Sequence, residues 1–155
     1  MDASVTIRRA RLEDADAIVA VLRRSIVELC VDDHHHDPEI LGPWLQNKTV
    51  ANARAWIEAA GNSVAVAQGR DGLCGVASLS AAGTILLCYV LPEAQFKGVG
   101  RALLESIEAE ARLRGFREIS LESTISARAF YRRHGYEPSP DGEPDSPVLY
   151  KVLMV

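Results

Sequence analysis

Val90-Leu91-Pro92-Glu93-Ala94-Gln95-Phe96-Lys97-Gly98-Val99-Gly100-Arg101-Ala102-Leu103 carries the chain from the end of an apolar strand into a glycine-opened helix. Ile85-Leu86-Leu87-Cys88-Tyr89-Val90 leads into it, an apolar run of strand length that Pro92 ends. A helix follows, opening at Gly98 and Gly100 and running to Gly115. The first amides of a helix have no partner within it, and the macrodipole favours negative charge beside them. Two glycines there carry no Cβ, so a phosphate can approach the main chain closely. Strand, short loop and glycine-opened helix together read as a pyrophosphate cradle.

The surrounding charge agrees with that reading. The chain carries a net charge of −4, but unevenly: residues 97–133 hold 8 basic and 5 acidic side chains, whereas residues 1–96 hold 8 and 12. The basic excess surrounds the cradle, where an anionic ligand gains from it. The acidic balance gives no reason to expect nucleic acid as a partner. A chain of 155 residues, 48% hydrophobic and 25% charged, suits a single domain, 1–155, with its own core. No run of about 18 apolar residues is present to span a bilayer. Met1-Asp2-Ala3-Ser4 does not open a secretory signal. Cys30, Cys74 and Cys88 lack C-x-x-C spacing, and their odd, scattered count argues for reduced thiols in a cytoplasm.

Val5-Thr6-Ile7-Arg8 alternates as a first strand. Ala15, Ile18, Val19, Leu22, Ile26, Leu29 and Cys30 recur at helical steps, with Glu13 and Asp14 in the first turn. Asp37-Pro38-Glu39 starts a short helix that Gly42-Pro43 should disturb, and Thr49 caps another that turns Ala53, Trp56, Ile57 and Ala60 inward. Asp32-Asp33-His34-His35-His36-Asp37 invites a metal reading. Consecutive side chains diverge, however, and no second cluster completes a ligand set, so a polar loop without metal is expected. Ser63–Gln68, Leu73–Leu79 and the strand ending at Pro92, joined by short turns, predict an antiparallel meander. The helix after Gly98 packs Val99, Leu103, Ile107 and Ala111 inward and should keep Arg101, Glu105, Glu108 and Arg112 wet. Glu118–Glu122 follows a helical crossover and should lie parallel to the strand before the cradle. A Ser126–His134 helix comes next. Tyr136-Glu137-Pro138 and Val148–Leu153 should close the chain as a hairpin.

The whole reads as an α/β (α+β) domain. It has a mixed central sheet of about seven strands with helices on both faces, in the order β-α-α-β-β-β-α-β-α-β-β.

Gln95-Phe96-Lys97-Gly98-Val99-Gly100 resembles the Q/R-x-x-G-x-G/A signature of the GCN5-related N-acetyltransferases (GNAT family). Val90-Leu91-Pro92 resembles that family's strand end V-x-P. Ala127–Tyr136 resembles its A-x-x-x-Y-x-x-x-G-F/Y segment. These pieces, in order and spacing, cover about the last two-thirds of the chain. The resemblance implies an enzyme that moves an acetyl group from acetyl-CoA to a primary amine by direct attack in a ternary complex. It implies that the strand before the cradle and its parallel neighbour splay apart to admit the pantetheine arm. The backbone of Cys88, Tyr89 and Val90 would pair with that arm. The amides of Lys97, Gly98, Val99, Gly100, Arg101 and Ala102 would hold the pyrophosphate, aided by the side chains of Gln95, Lys97 and Arg101, with Phe96 between them. Tyr131 takes the place of the family's general acid, after a helix carrying Ala127. Its phenol, near pKa ~10, stays protonated at neutral pH and can donate to a departing thiolate.

Two departures matter. The pantetheine-contacting Asn of many members is Thr124 here, and Ile85–Val90 contains no carboxylate to serve as base. Glu28, Asp33, His34 and His35 are unranked candidates for that role through water. A domain that binds acetyl-CoA without catalysis, as a sensor or interaction module, is the alternative. Trp44 and Trp56 are candidates for the acceptor wall. An acidic first half suits cationic amines, with a small-molecule acceptor favoured over a protein one, and a homodimer is compatible with such a fold.

Overall fold

The computed structural model describes residues 4–153. Met1–Ala3, which enter the targeting argument above, lie outside the described residues. Six strands form one sheet in sequential order: β1 (Thr6–Arg9), β2 (Ser63–Gly69), β3 (Gly72–Leu79), β4 (Thr84–Val90), β5 (Glu118–Glu122) and β6 (Val148–Val152). The helices are α1 (Ala15–Leu29), α2 (Val31–His34), α3 (Pro38–Gln46), α4 (Val50–Glu58), α5 (Val99–Leu113) and α6 (Arg128–Arg133). β2 to β4 form the expected antiparallel meander, β1 adds antiparallel to β2, and β5 pairs parallel to β4 across the α5 crossover.

The two-residue period of β2 divides the core. Ala65 and Ala67 pack with Leu103, Leu104 and Ile107 of α5, whereas Val64 and Val66 pack with Ile18, Val21 and Leu22 of α1. Successive strand side chains point to opposite faces, so α1 and α5 cover the two sides of the sheet. Small residues in β2 on the α5 side let that helix approach closely. A Cβ on Gly75 of β3 would stand 2.8 Å from the Leu103 side chain.

Four expectations need correction. The final hairpin has one strand only; Tyr136-Glu137-Pro138 is reduced to a single bridge between Glu137 and Tyr150, giving six strands rather than about seven. Pro138 and Pro140 have no N–H to donate, so a ladder cannot extend there. Pro43 does not stop α3, which continues to Gln46. The carbonyl of Glu39 that loses its partner sits on an exposed turn, open to solvent. Glu108 is not in a wet stripe but buried, held by Tyr136 Oη at 2.7 Å and Lys151 Nζ at 3.0 Å.

The 31–37 segment, finally, is not a plain polar loop. It forms α2 and then turns through His35 and His36 at positive φ. His34 is fully buried, with Nδ1 accepting from the His36 N–H at 2.9 Å. Its other nitrogen must therefore be the protonated one, donating to the Ile26 carbonyl at 2.8 Å. Both ring nitrogens are engaged, which leaves none for a proton relay.

Candidate active site

β4 parts from β5 almost at once. Parallel pairing covers Thr84↔Ser120 and Ile85↔Leu121 and then ends. On the other side of β4, Ser78 pairs with Leu87 and Leu79 with Ile85, so Leu86 is an extra residue in a bulge. A bulge bends its strand and increases local twist, and this one falls where β4 leaves β5. The later part of β4 therefore presents a free edge to a cavity of about 520 Å³.

That cavity gathers most of the residues singled out from the sequence. Cys88, Tyr89 and Val90 line it from β4; Gln95, Phe96, Gly98, Gly100 and Arg101 line it from the loop and the start of α5. Thr124, Ala127 and Tyr131 line it from the β5–α6 side. Lys97, Val99 and Ala102 do not line it, and Val99 is instead a buried core residue.

The helix start is built as an anion site. Gly98 caps α5 at φ 80°, a left-handed conformation that disfavours any residue with a Cβ. No side chain caps the helix, and its ladder begins with Ala102 N–H to the Gly98 carbonyl at 3.0 Å. The preceding amides stand outside that ladder and point forward from the positive end of the dipole. Phe96, just before, also has positive φ and is 97% exposed. Gly100 serves packing as well, because a Cβ there would sit 3.3 Å from the Phe130 ring. The Arg101 guanidinium is drawn to Glu105 at 2.9 Å along the helix.

Tyr131 lies deep in the cleft. Its ring packs edge-on against Phe130 and Tyr136 at 5.4 and 5.8 Å. Its hydroxyl lies beside the Cys88 thiol, and burial pushes the phenol well above its ordinary pKa. Burial also pushes the Cys88 thiol up to about 11, so it is a packed, protonated group rather than a nucleophile. His134, one turn beyond Tyr131, lines the same cavity. Burial, with help from Arg101, Lys151 and Arg133, lowers its pKa and keeps its imidazole neutral near pH 7. Its spacing of three from Tyr131 on a helix is the signal that could have found it.

A second cavity of about 490 Å³ adjoins the first, lined by Asp33, Trp44, Lys48, Tyr89, Glu122 and Thr124 among others. Tyr89, Glu122 and Thr124 border both spaces. The Trp44 indole neighbours the Tyr89 hydroxyl. Trp56 lines neither cavity and packs beside the α1 core. Among the base candidates, Glu28 is paired with Arg24 at 3.0 Å, and the Asp33 carboxylate is held by Ile125 N–H, Ser126 N–H and Ser126 Oγ–H. Glu122, not among those candidates, is the one carboxylate among the described residues that borders both cavities. Among the described residues, no group of three or more His, Cys, Asp or Glu side chains is arranged to hold a metal ion. No helix among them is long and apolar enough to cross a membrane.

The comparisons with known proteins bear on this geometry. Residues 31–145 match the family of the acetyltransferase (GNAT) domain. A GCN5-related N-acetyltransferase from Rhodopseudomonas palustris shares 25% identity, with a TM-score of 0.82 over 97% of both chains. PaiA N-acetyltransferase from Thermoplasma acidophilum, solved with coenzyme A, shares 21%, with a TM-score of 0.81 over 96% of this chain and 99% of its own. yncA from Salmonella typhimurium, solved with acetyl-CoA as its cofactor, shares 22%, with a TM-score of 0.71 over 99% and 96%. No curated protein sequence matches significantly. The family match spans most of the chain, which belongs to the GNAT acetyltransferases.

Proposed function

We propose that this chain, as one domain over residues 1–155, transfers the acetyl group of acetyl-CoA to a primary amine of a small-molecule acceptor, by direct attack in a ternary complex. The observation that carries the reading is the free edge of β4 running into the uncapped amides of α5, with a buried, protonated phenol beside that edge. The edge from Leu86 to Val90 offers main-chain groups to an extended amide-bearing arm, as an added strand would. The amides at Gly98–Arg101 suit the diphosphate, and Thr124 faces the arm across the cleft. The bound coenzymes of PaiA and yncA, proteins of the same fold, support the choice of cofactor. Three free thiols are consistent with a cytoplasmic setting.

The chemistry then balances. The neutral amine forms a C–N bond to the thioester carbonyl carbon, and the C–S bond breaks. The sulfur leaves as thiolate and takes the Tyr131 proton, because a thiolate is a far stronger acceptor than the neutral Cys88 thiol beside that hydroxyl. The proton released by nitrogen returns to Tyr131 through water, leaving an acetamide and free coenzyme A. A main-chain N–H near Val90 stabilises the oxyanion.

The test is acetyl transfer to a panel of amines by wild type and Tyr131→Phe. The reading expects turnover that falls at least about tenfold in the variant, with coenzyme A affinity retained by calorimetry. Coenzyme A binding with transfer to no amine would replace it with a sensor or interaction domain.

A further inference from the structure

Lys48 lies on the short link between α3 and α4 and lines the second cavity. It forms no ion pair among the described residues. The polar contact of its ammonium is Asn47 Oδ1, its sequence neighbour, at 2.7 Å. Burial lowers its pKa, the signature of a cation drawn partly out of water without a counter-charge. Such a charge is costly unless something anionic completes it.

The acids around this cavity do not complete it. The Asp33 carboxylate is already occupied by three donors from Ile125 and Ser126, at 2.6 to 3.1 Å. Glu122 stands at the junction with the coenzyme-side cavity, and its carboxylate has no side-chain partner among the described residues. The space thus carries a half-buried cation with no ion-pair partner and, where it meets the coenzyme-side cavity, an exposed carboxylate with no side-chain partner among the described residues. Trp44 and Tyr89 supply aromatic wall, and Leu86 and Leu87 supply apolar surface.

We infer that the acceptor is an amine carrying its own carboxylate, an amino-acid-type molecule whose carboxylate docks on Lys48 while its ammonium sits at Glu122, facing the thioester. This rests on the acetyl-transfer reading above and narrows its substrate. A polyamine would place a second positive charge against Lys48, and a lysine within a protein chain brings no carboxylate of its own. An amino acid matches both unmatched charges and leaves its side chain to the Trp44 wall.

The experiment uses matched sets: L-phenylalanine, L-phenylalaninamide and 2-phenylethylamine; L-leucine, L-leucinamide and 3-methylbutylamine; and spermidine. The remaining proteinogenic amino acids and their amides complete the panel, compared at equal concentrations of neutral amine. For at least one set the free acid should exceed its amide and its decarboxylated amine at least about tenfold in kcat/KM. Lys48→Met should raise KM for that acid and bring the ratio within about threefold, and Lys48→Arg should restore the preference. Amides or simple amines preferred by wild type, or a preference that survives Lys48→Met, would overturn the inference. So would acetylation of spermidine alone, which would nonetheless leave acetyl transfer intact. Calorimetric binding of a free acid, but not its amide, to coenzyme-A-loaded protein without any turnover would sink the transferase reading and keep the Lys48 anchor. Binding of no acid at all would remove the anchor.

Discussion

Ser126 Oγ donates a 2.6 Å hydrogen bond to Asp33 Oδ2, joining α2 to the β5–α6 loop across 93 positions of sequence. The same carboxylate takes the N–H groups of Ile125 and Ser126 at 2.7 and 3.1 Å, and Thr124 Oγ1 takes that of Ala127. Asp33 therefore ties down the segment that forms the far wall of the coenzyme-side cavity. Asp33→Ala should cost about 1–2 kcal/mol of stability, since charge-assisted bonds are lost at a partly exposed site. It should also weaken coenzyme A several-fold, because the loop must be ordered again on binding. Thermal unfolding and calorimetry would check both; an unchanged affinity would show that the loop holds its place without the clasp.

The Glu108 cluster makes a sharper prediction about stability. Its carboxylate accepts from Tyr136 Oη and pairs with Lys151 Nζ, all within the core behind Tyr131. Glu108→Ala strands a phenol and an ammonium and should cost about 3–5 kcal/mol. Glu108→Gln, which retains an acceptor, should cost less. Urea unfolding of the two variants decides the order, and equal losses would mean that the side-chain volume, not the polar contacts, matters.

Gly98 offers a test of the helix start itself. Its φ of 80° is costly for alanine by about 1–2 kcal/mol, whereas Gly100 is helical and an added methyl meets the Phe130 ring at 3.3 Å. Gly98→Ala should therefore shift the backbone of the cradle and weaken coenzyme A about tenfold or more. Gly100→Ala should act through Phe130, whose ring also lines the cavity. Calorimetry on both variants would check this, and Gly98→Ala binding as wild type would remove the α5 amides from the cofactor site.

These same residues show what a sequence can and cannot convey here. The strands of the meander, the parallel crossover and the caps at Asp37 and Thr49 depend on neighbours within a few positions, so period and turn chemistry reveal them. Tyr131 is marked by the resemblance of Ala127–Tyr136 to the family's A-x-x-x-Y-x-x-x-G-F/Y segment. Glu108 looked solvated because helical spacing places it beside Glu105 and Arg112, while the groups that bury it come from 28 and 43 positions away. The Asp33 clasp and the His34 pocket are equally non-local. The Leu86 bulge, which opens the cleft, has no mark within an all-apolar strand. Lys48 and Glu122 became visible only once the fold set them around one space.

The Arg8–Asp14 pair makes the stability of the fold depend on pH. Two bonds of 2.8 and 2.9 Å from the guanidinium hold the Asp14 carboxyl below the usual carboxylate range, helped by the Arg11 N–H, and together they outweigh the opposing effect of burial. A carboxyl whose folded pKa lies below its unfolded value of about 3.9 stabilises the fold fully above that value. Its contribution then falls away as the pH drops through the folded pKa, because the unfolded chain binds the proton more readily. Asp14→Asn should therefore be less stable than wild type by about 1–3 kcal/mol at neutral pH. The gap should stay constant down to about pH 5 and narrow below about pH 4. Thermal melts of both proteins across that range measure it directly, and a gap that widens in acid would show that Asp14 is not held ionised by Arg8.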